Sequence, residues 1–242
     1  GLRERSDDER LRRRAPGAGP MSFQGFPDEA LVFYEGLEAD NSKAYWTDHK
    51  ATYDACVKEP MVALLAQLEP EFGPSTFFRP YRDVRFAKDK TPYKEHAAAI
   101  MKDDPSGRAA LYVQLGADGL YLGSGYFHTA TDQARRLRAA IDVDRTGKKL
   151  VSILDVLTKD GWEVFGERLK RLPKEYDAGH PRADLLHHKS LIAGRAHEPA
   201  EWMHTPECAD RIAAGWRALL PLGRWLADNV GPSTMESAYR RR

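Results

Sequence analysis

Residues 109–126 read AALYVQLGADGLYLGSGY. Apolar residues alternate with others through Leu111, Val113 and Leu115, and again at Leu120 and Leu122; Gly116-Ala117-Asp118-Gly119 stands between the two runs. A period of two is the pattern of a strand with one buried face, and an Asp-Gly pair between two such runs marks a hairpin. The reading is two antiparallel strands, 109–115 and 120–126. Upstream, 96–101 is another strand-like run, set off by the turn signal Asp103-Asp104-Pro105-Ser106-Gly107. The centre of the chain is therefore expected to be a three-stranded meander.

On either side the period changes. Before the meander, Pro27 precedes Ala30, Leu31, Phe33, Tyr34 and Leu37 at helical spacing. Asp40-Asn41-Ser42 reads as a break and a new N-cap, followed by Tyr45, Trp46, His49, Tyr53 and Val57. Pro60 removes a backbone donor and is expected to kink or divide this second helix, which Met61, Leu64, Leu65 and Leu68 continue. Pro70 and Gly73-Pro74 end it. After the meander, 129–141 is helical with Thr129 or Thr131 as cap, and 149–157 forms a short helix. Residues 162–172 and 190–193 are strand candidates, the latter an edge strand. Residues 206–220 form an amphipathic helix, and Pro221 opens a short last one. The expected class is α+β, an antiparallel sheet flanked by N-terminal and C-terminal helices. Residues 21–230 make one such domain, and 231–242 a loose tail.

Composition narrows the setting. The chain has 242 residues, 42% of them hydrophobic, with ten Tyr, nine Phe and five Trp, enough for a substantial core. Its net charge is +1, but residues 1–20 hold six Arg against four acids, so the remainder is slightly acidic. That argues against broad nucleic-acid backbone binding. Residues 1–20 cannot bury enough apolar surface to offset their ordering entropy. They are expected to be a disordered extension, native or vector-derived, or helical only through packing contact. They lack the apolar stretch of a signal peptide, and no window is long enough to span a bilayer. Cys56 and Cys208 make no framework. A cytoplasmic protein is the simplest expectation; oligomeric state and cofactor are not legible.

The densest chemistry lies in residues 79–94, RPYRDVRFAKDKTPYK. Six cations (Arg79, Arg82, Arg85, Lys88, Lys90, Lys94) meet two carboxylates, Asp83 and Asp89. If residues 76–86 are extended, Phe77, Arg79, Tyr81, Asp83 and Arg85 share one face, and Phe78, Arg82, Val84 and Phe86 the other. Asp83 can then hold a guanidinium in a bidentate pair. Residues 88–94 read as a loop, because Pro92 disfavours helix before it. The glycines of a Walker loop are absent.

The pattern Arg79-x-x-Arg82-Asp83-x-Arg85-Phe86, then Lys90-x-Pro92-Tyr93-Lys94, resembles the signature of a bacterial conserved-hypothetical family, domain of unknown function 2461. The resemblance extends over roughly residues 22–230 through Phe26/Phe33, Asn41 with Trp46 and Tyr53, the segment 119–126, Leu172-Pro173-Lys174 and His180-Pro181. Glu175 stands where the family usually has Gly. The resemblance implies no activity, ligand or cofactor.

Three readings follow from the residues. In the first, Arg79, Arg82, Arg85, Lys90, Tyr93 and Lys94 bind a small phosphate- or carboxylate-bearing ligand, because the cations outnumber their internal partners. Should chemistry occur there, Asp83 or Asp89 is the acid/base candidate and Tyr93 a helper. In the second, the motif is an internal ion-pair network of a structural or protein-interaction module. In the third, the chain is a hydrolase using Ser124 and His128, which requires those side chains to lie within hydrogen-bond reach. Gly123-Ser124-Gly125 before a helix also admits a phosphate cradle, or simply a bulge or close backbone approach. His180, His187, His188, His197 and His204 lack metal-binding spacing, and no metal site is assigned.

Overall fold

The computed structural model describes residues 22–85, 88–101 and 109–235. The predicted extension 1–20, the turn 103–107, Phe86 and the end of the tail, 236–242, lie outside them. Helices α1 (Asp28–Ala39) and α2 (Lys43–Thr52) are followed by a π-helical stretch, Tyr53–Lys58, and α3 (Glu59–Phe72). Strands β1 (Ser75–Phe77), β2 (His96–Met101), β3 (Leu111–Gly116) and β4 (Gly119–Tyr126) come next. Helices α4 (Thr131–Asp142) and α5 (Asp144–Lys159) precede β5 (Glu163–Phe165), α6 (Ala183–Leu186), β6 (Leu191–His197), a 3-10 turn (Glu201–His204) and α7 (Glu207–Asn229).

The central hairpin forms as its alternation predicts, with Ala117 and Asp118 at the tip and Gly116 facing Gly119. β2 pairs antiparallel along β3, completing the meander. The six strands are all antiparallel in the order β1-β2-β3-β4-β6-β5, so the α+β class is as expected. Alternation then selects the buried face. Ala97, Ala99, Leu111, Val113, Leu115, Leu120, Leu122, Leu191 and Ala193 join one apolar cluster with Phe33, Leu64, Ile212, Trp216 and Trp225 of the helices. Of the intervening residues, Ile100, Tyr112, Gln114 and Tyr121 lie outside that cluster and are half-buried, while Ala98 and Ile192 are buried. The sheet thus has a core face and an open face.

Several expectations are corrected. β1 stops at Phe77 instead of running to 86, because Pro80 has no N–H to donate to a ladder. The exposure still alternates, with Arg79, Tyr81, Asp83 and Arg85 outward and Arg82 and Val84 half-covered. The predicted edge strand at 190–193 is longer and interior, between β4 and β5; the edge is β5, only three residues of the predicted 162–172. Pro221 does not start a new helix but sits inside α7, whose buried Ile212, Trp216, Leu219, Leu222, Trp225 and Leu226 form one unbroken stripe. That burial outweighs one lost backbone bond. Pro60 divides the second helix only gently. The π-helical stretch ahead of it shifts the hydrogen-bond register, with Glu59 N–H donating to Asp54 O, and α3 begins with the proline in its first turn.

Neither Thr129 nor Thr131 caps α4. Thr129 donates instead to Lys189 O (2.6 Å), and Gln133 Oε1 accepts from Ala130 N–H (3.0 Å). α5 begins at Asp144, five residues before the predicted helix at 149. The described part of the tail is not loose: Asp132 accepts from Ser233 Oγ and Thr234 N–H, both at 2.8 Å, and Arg136 donates to Pro232 O (2.7 Å). Glu175 does not abolish its turn. Tyr176 N–H reaches Pro173 O at 3.0 Å with no non-glycine residue at positive φ among the described residues.

Candidate functional site

Residues 80–82 and 92–94 pair as a short two-stranded ribbon that prolongs β1 and β2 beyond the sheet. Tyr81 and Tyr93 form an antiparallel bridge. Arg82 N–H donates to Pro92 O (2.9 Å) and Lys94 N–H to Pro80 O (2.8 Å). Two side chains hold the ribbon against the helices. Asn41 imitates a neighbouring strand: its Oδ1 accepts from Tyr93 N–H, while its Nδ2 donates to Tyr93 O and Glu95 Oε1, all at 3.1 Å. Trp46 stacks on Tyr93 with centroids 4.3 Å apart and planes 7° apart, and Tyr81 closes the cluster. Asn41 belonged to the resemblance but not to the predicted site; its signal was a polar residue just before Ser42, which does cap α2 by accepting from Tyr45 N–H.

The ribbon sorts the predicted residues. Arg85 makes the bidentate pair with Asp83 (Nε–Oδ1 2.9 Å, Nη2–Oδ2 2.7 Å). That pair lies at the surface, with the Arg85 side chain 77% exposed, so solvent screens it. Hydrogen bonds from the Arg85 side chain and backbone hold Asp83 down to about 2. Arg82 Nη1 reaches Asp89 Oδ2 at 2.5 Å and also donates to the Thr91 hydroxyl. Asp89 is held below its ordinary range by the Thr91 backbone and hydroxyl first, and by Arg82 next. Lys90 Nζ donates to Val84 O (2.9 Å). Both aspartates are thus kept ionised, and such weak bases are poorly matched to proton transfer near neutrality. Tyr93 is a packing residue, 5% exposed, its phenol pushed up by burial and then by Tyr81.

Of the other cations, Arg79 and Lys94 lie where the ribbon joins the sheet, beside the Lys94 N–H to Pro80 O bond. Arg79 and Lys94 have no ion pair among the described residues. Lys94 Nζ rests 5.4 Å above the Phe78 ring. Burial, and then the charge of Arg79, lowers the Lys94 pKa. His96, at the start of β2, is lowered by burial, then by Lys94 and Arg82, with Glu95 opposing. Lys94 is therefore within electrostatic reach of Arg79 and of His96, and His96 also of Arg82 and of one acid, Glu95. His96 was not predicted as a site residue, although its place two residues after Lys94 was visible.

The other predicted groups do not assemble a site. Ser124 is buried in β4, and its Oγ has no hydrogen-bond partner among the described residues. His128 is exposed and faces Glu167 at 3.5 Å. The hydrogen bond the hydrolase reading requires is not formed. Gly123 and Gly125 are packed against β6 rather than opened toward a ligand. Histidines 187, 188 and 204 bond to backbone carbonyls, and His180 accepts from Arg182 N–H. Among the described residues no group of three or more His, Cys, Asp or Glu could hold a metal ion.

Fold and ribbon define an α+β protein whose sheet is covered by helices on one face and prolonged by a cation-rich hairpin at one corner. The chain belongs to the conserved hypothetical protein family DUF2461, domain of unknown function 2461, whose model matches residues 29–225 and so includes the whole ribbon. No curated protein and no solved structure matches. No helix among the described residues is long and apolar enough to cross a membrane.

Proposed function

We propose that this is a cytoplasmic bacterial protein that binds a small phosphate- or carboxylate-bearing ligand where this ribbon joins the sheet. The observation that carries this reading is the surplus of positive groups where the ribbon joins the sheet: Arg79, Lys94 and His96 make no ion pair among the described residues, and Arg82 beside them is shared with Asp89. Such a cluster repels itself until an anion enters it. Lys94 and Arg79 are the principal contacts, Arg82 and His96 secondary ones, and Lys90 and Arg85 shape the ribbon. The two aspartate pairs favour the alternative, an ion-pair network in a structural or interaction module, for the outer half of the motif. The acidic balance outside residues 1–20 leaves nucleic acid a poor fit.

Thermal shift with sulfate or phosphate, at ionic strength held constant with chloride, tests the reading. Stabilisation by the divalent anions is expected in the native chain, and Lys94→Ala should reduce it at least about tenfold in apparent affinity, as for a lost charge-assisted contact. An unchanged response, or none from either protein, leaves the ion-pair alternative.

His96 adds a pH signature. Its folded pKa is depressed, so the unfolded chain binds the extra proton first, and His96 lowers stability as pH falls through the unfolded value. A bound anion favours the imidazolium and reverses the effect. Sulfate, which does not titrate in this range, should therefore bind more tightly at pH 5.5 than at pH 8. His96→Gln should flatten that dependence.

A further inference from the structure

Next to the cationic corner, the open face carries two tyrosines and a glutamine in an arrangement the ribbon does not explain. Tyr121 of β4 lies over Gly194 of β6: a Cβ there would sit 1.8 Å from its hydroxyl, and one on Gly123 would sit 3.3 Å from its ring. Two glycines thus let this ring settle across neighbouring strands. Tyr112 of β3 meets it edge-on, centroids 6.2 Å apart and planes at 67°. The Tyr112 hydroxyl donates to Gln114 Oε1 at 2.7 Å, which fixes the amide and leaves its Nε2 hydrogens without a partner among the described residues. All three residues are half-buried and lie outside the apolar core.

The register places this group beside the cations. Gln114 faces Tyr121, and His96 faces Gly116, two residues along β3 from Gln114. Two strands across and two residues along is about 12 Å between the backbones of His96 and Tyr121. On the far side Glu163 acts electrostatically on Tyr121. The face therefore runs from cations, over aromatic rings with a fixed amide donor, to a carboxylate. A ligand with an anionic group at one end and a flat ring at the other would lie along it in one direction only.

We propose that the anion bound at the ribbon is the phosphate of a mononucleotide, whose base lies on Tyr121 and Tyr112 with an acceptor on its edge taking the Gln114 amide hydrogens. This rests on the anion-binding reading and adds the class of ligand. The rings provide a stacking surface that a sugar phosphate cannot use, and stacking of a base on an aromatic side chain is the sequence-tolerant part of nucleotide binding.

Calorimetric titration of the full chain with AMP, CMP, ribose 5-phosphate, adenosine and a ten-nucleotide single-stranded DNA tests it. AMP or CMP is expected to bind at least about tenfold more tightly than ribose 5-phosphate. Tyr121→Leu should erase that margin while leaving ribose 5-phosphate binding unchanged, and Tyr121→Phe should keep it. Gly194→Ala, which pushes the ring off its seat, provides a second route to the same loss, with ligand-free melting as the check on folding. Equal binding of nucleotide and ribose 5-phosphate would overturn the nucleotide assignment and leave the anion site standing. If none of the phosphate compounds binds, both readings fall. Binding of the oligonucleotide far more tightly than AMP or CMP would overturn the mononucleotide in favour of a single strand.

Discussion

Gly125→Ala is expected to lower the stability of the chain by about 3–5 kcal/mol, the sum of backbone strain and overpacking. Gly125 has φ +146°, and a Cβ there would lie 2.3 Å from Leu191 O and 2.6 Å from Ile192 Cα. Both are backbone atoms of β6, so neither can swing aside as a side-chain tip can. Gly161→Ala provides the control: φ is +83°, but nothing lies within 4 Å of the new Cβ, so only the strain of about 1–3 kcal/mol remains. Urea denaturation with an unchanged m-value measures both. The comparison also decides what the Gly123-Ser124-Gly125 run is for. A glycine kept for close strand approach gives a large stability loss, whereas one kept for a phosphate would give lost anion binding in a stable protein.

Asn41→Asp should destabilise the chain by about 3 kcal/mol at neutral pH, the scale of breaking a part-buried hydrogen-bonded group and leaving a charge opposed. The change removes the amide hydrogens given to Tyr93 O and Glu95 Oε1 and sets a carboxylate oxygen against each. The same change should weaken sulfate binding, since Asn41 fixes the Tyr93 backbone on one side of Lys94 and the Glu95 side chain on the other. The pH dependence distinguishes this mechanism from simple loss of packing. The new carboxyl, crowded by Glu95, holds its proton more strongly folded than unfolded, so the variant recovers stability as pH falls toward 5. Asn41→Ala, with nothing to protonate, should show no such recovery. Melting both variants from pH 7.5 to pH 5 reads the difference.

The central hairpin was legible because its information is local. Alternation at Leu111, Val113, Leu115, Leu120 and Leu122 with an Asp-Gly turn specifies two strands and which of their faces is apolar. The same logic separated Arg79, Asp83 and Arg85 from Arg82, and the exposures keep that separation even though the stretch never joins the sheet as a full strand. The N-terminal helices and the Ser42 cap were visible for the same reason. The prolines misled. Pro221 within α7 and the π-helical turn before Pro60 are tolerated because neighbouring elements bury the flanking residues, and local propensity contains nothing about neighbours.

The candidate site divides in the same way. The sequence by itself determined that cations crowd residues 79–94, that Asp83 would take a guanidinium, and that 109–126 would turn back on itself. Only the tertiary structure decided that β6 enters between β4 and β5, which brings Gly194 under Tyr121. It also brought Asn41, fifty-two residues away in the chain, against Tyr93, and left His96 with Lys94 at the cationic corner. Periodicity reports which face of an element is apolar; what lies across that face depends on which distant segments bury the most surface together.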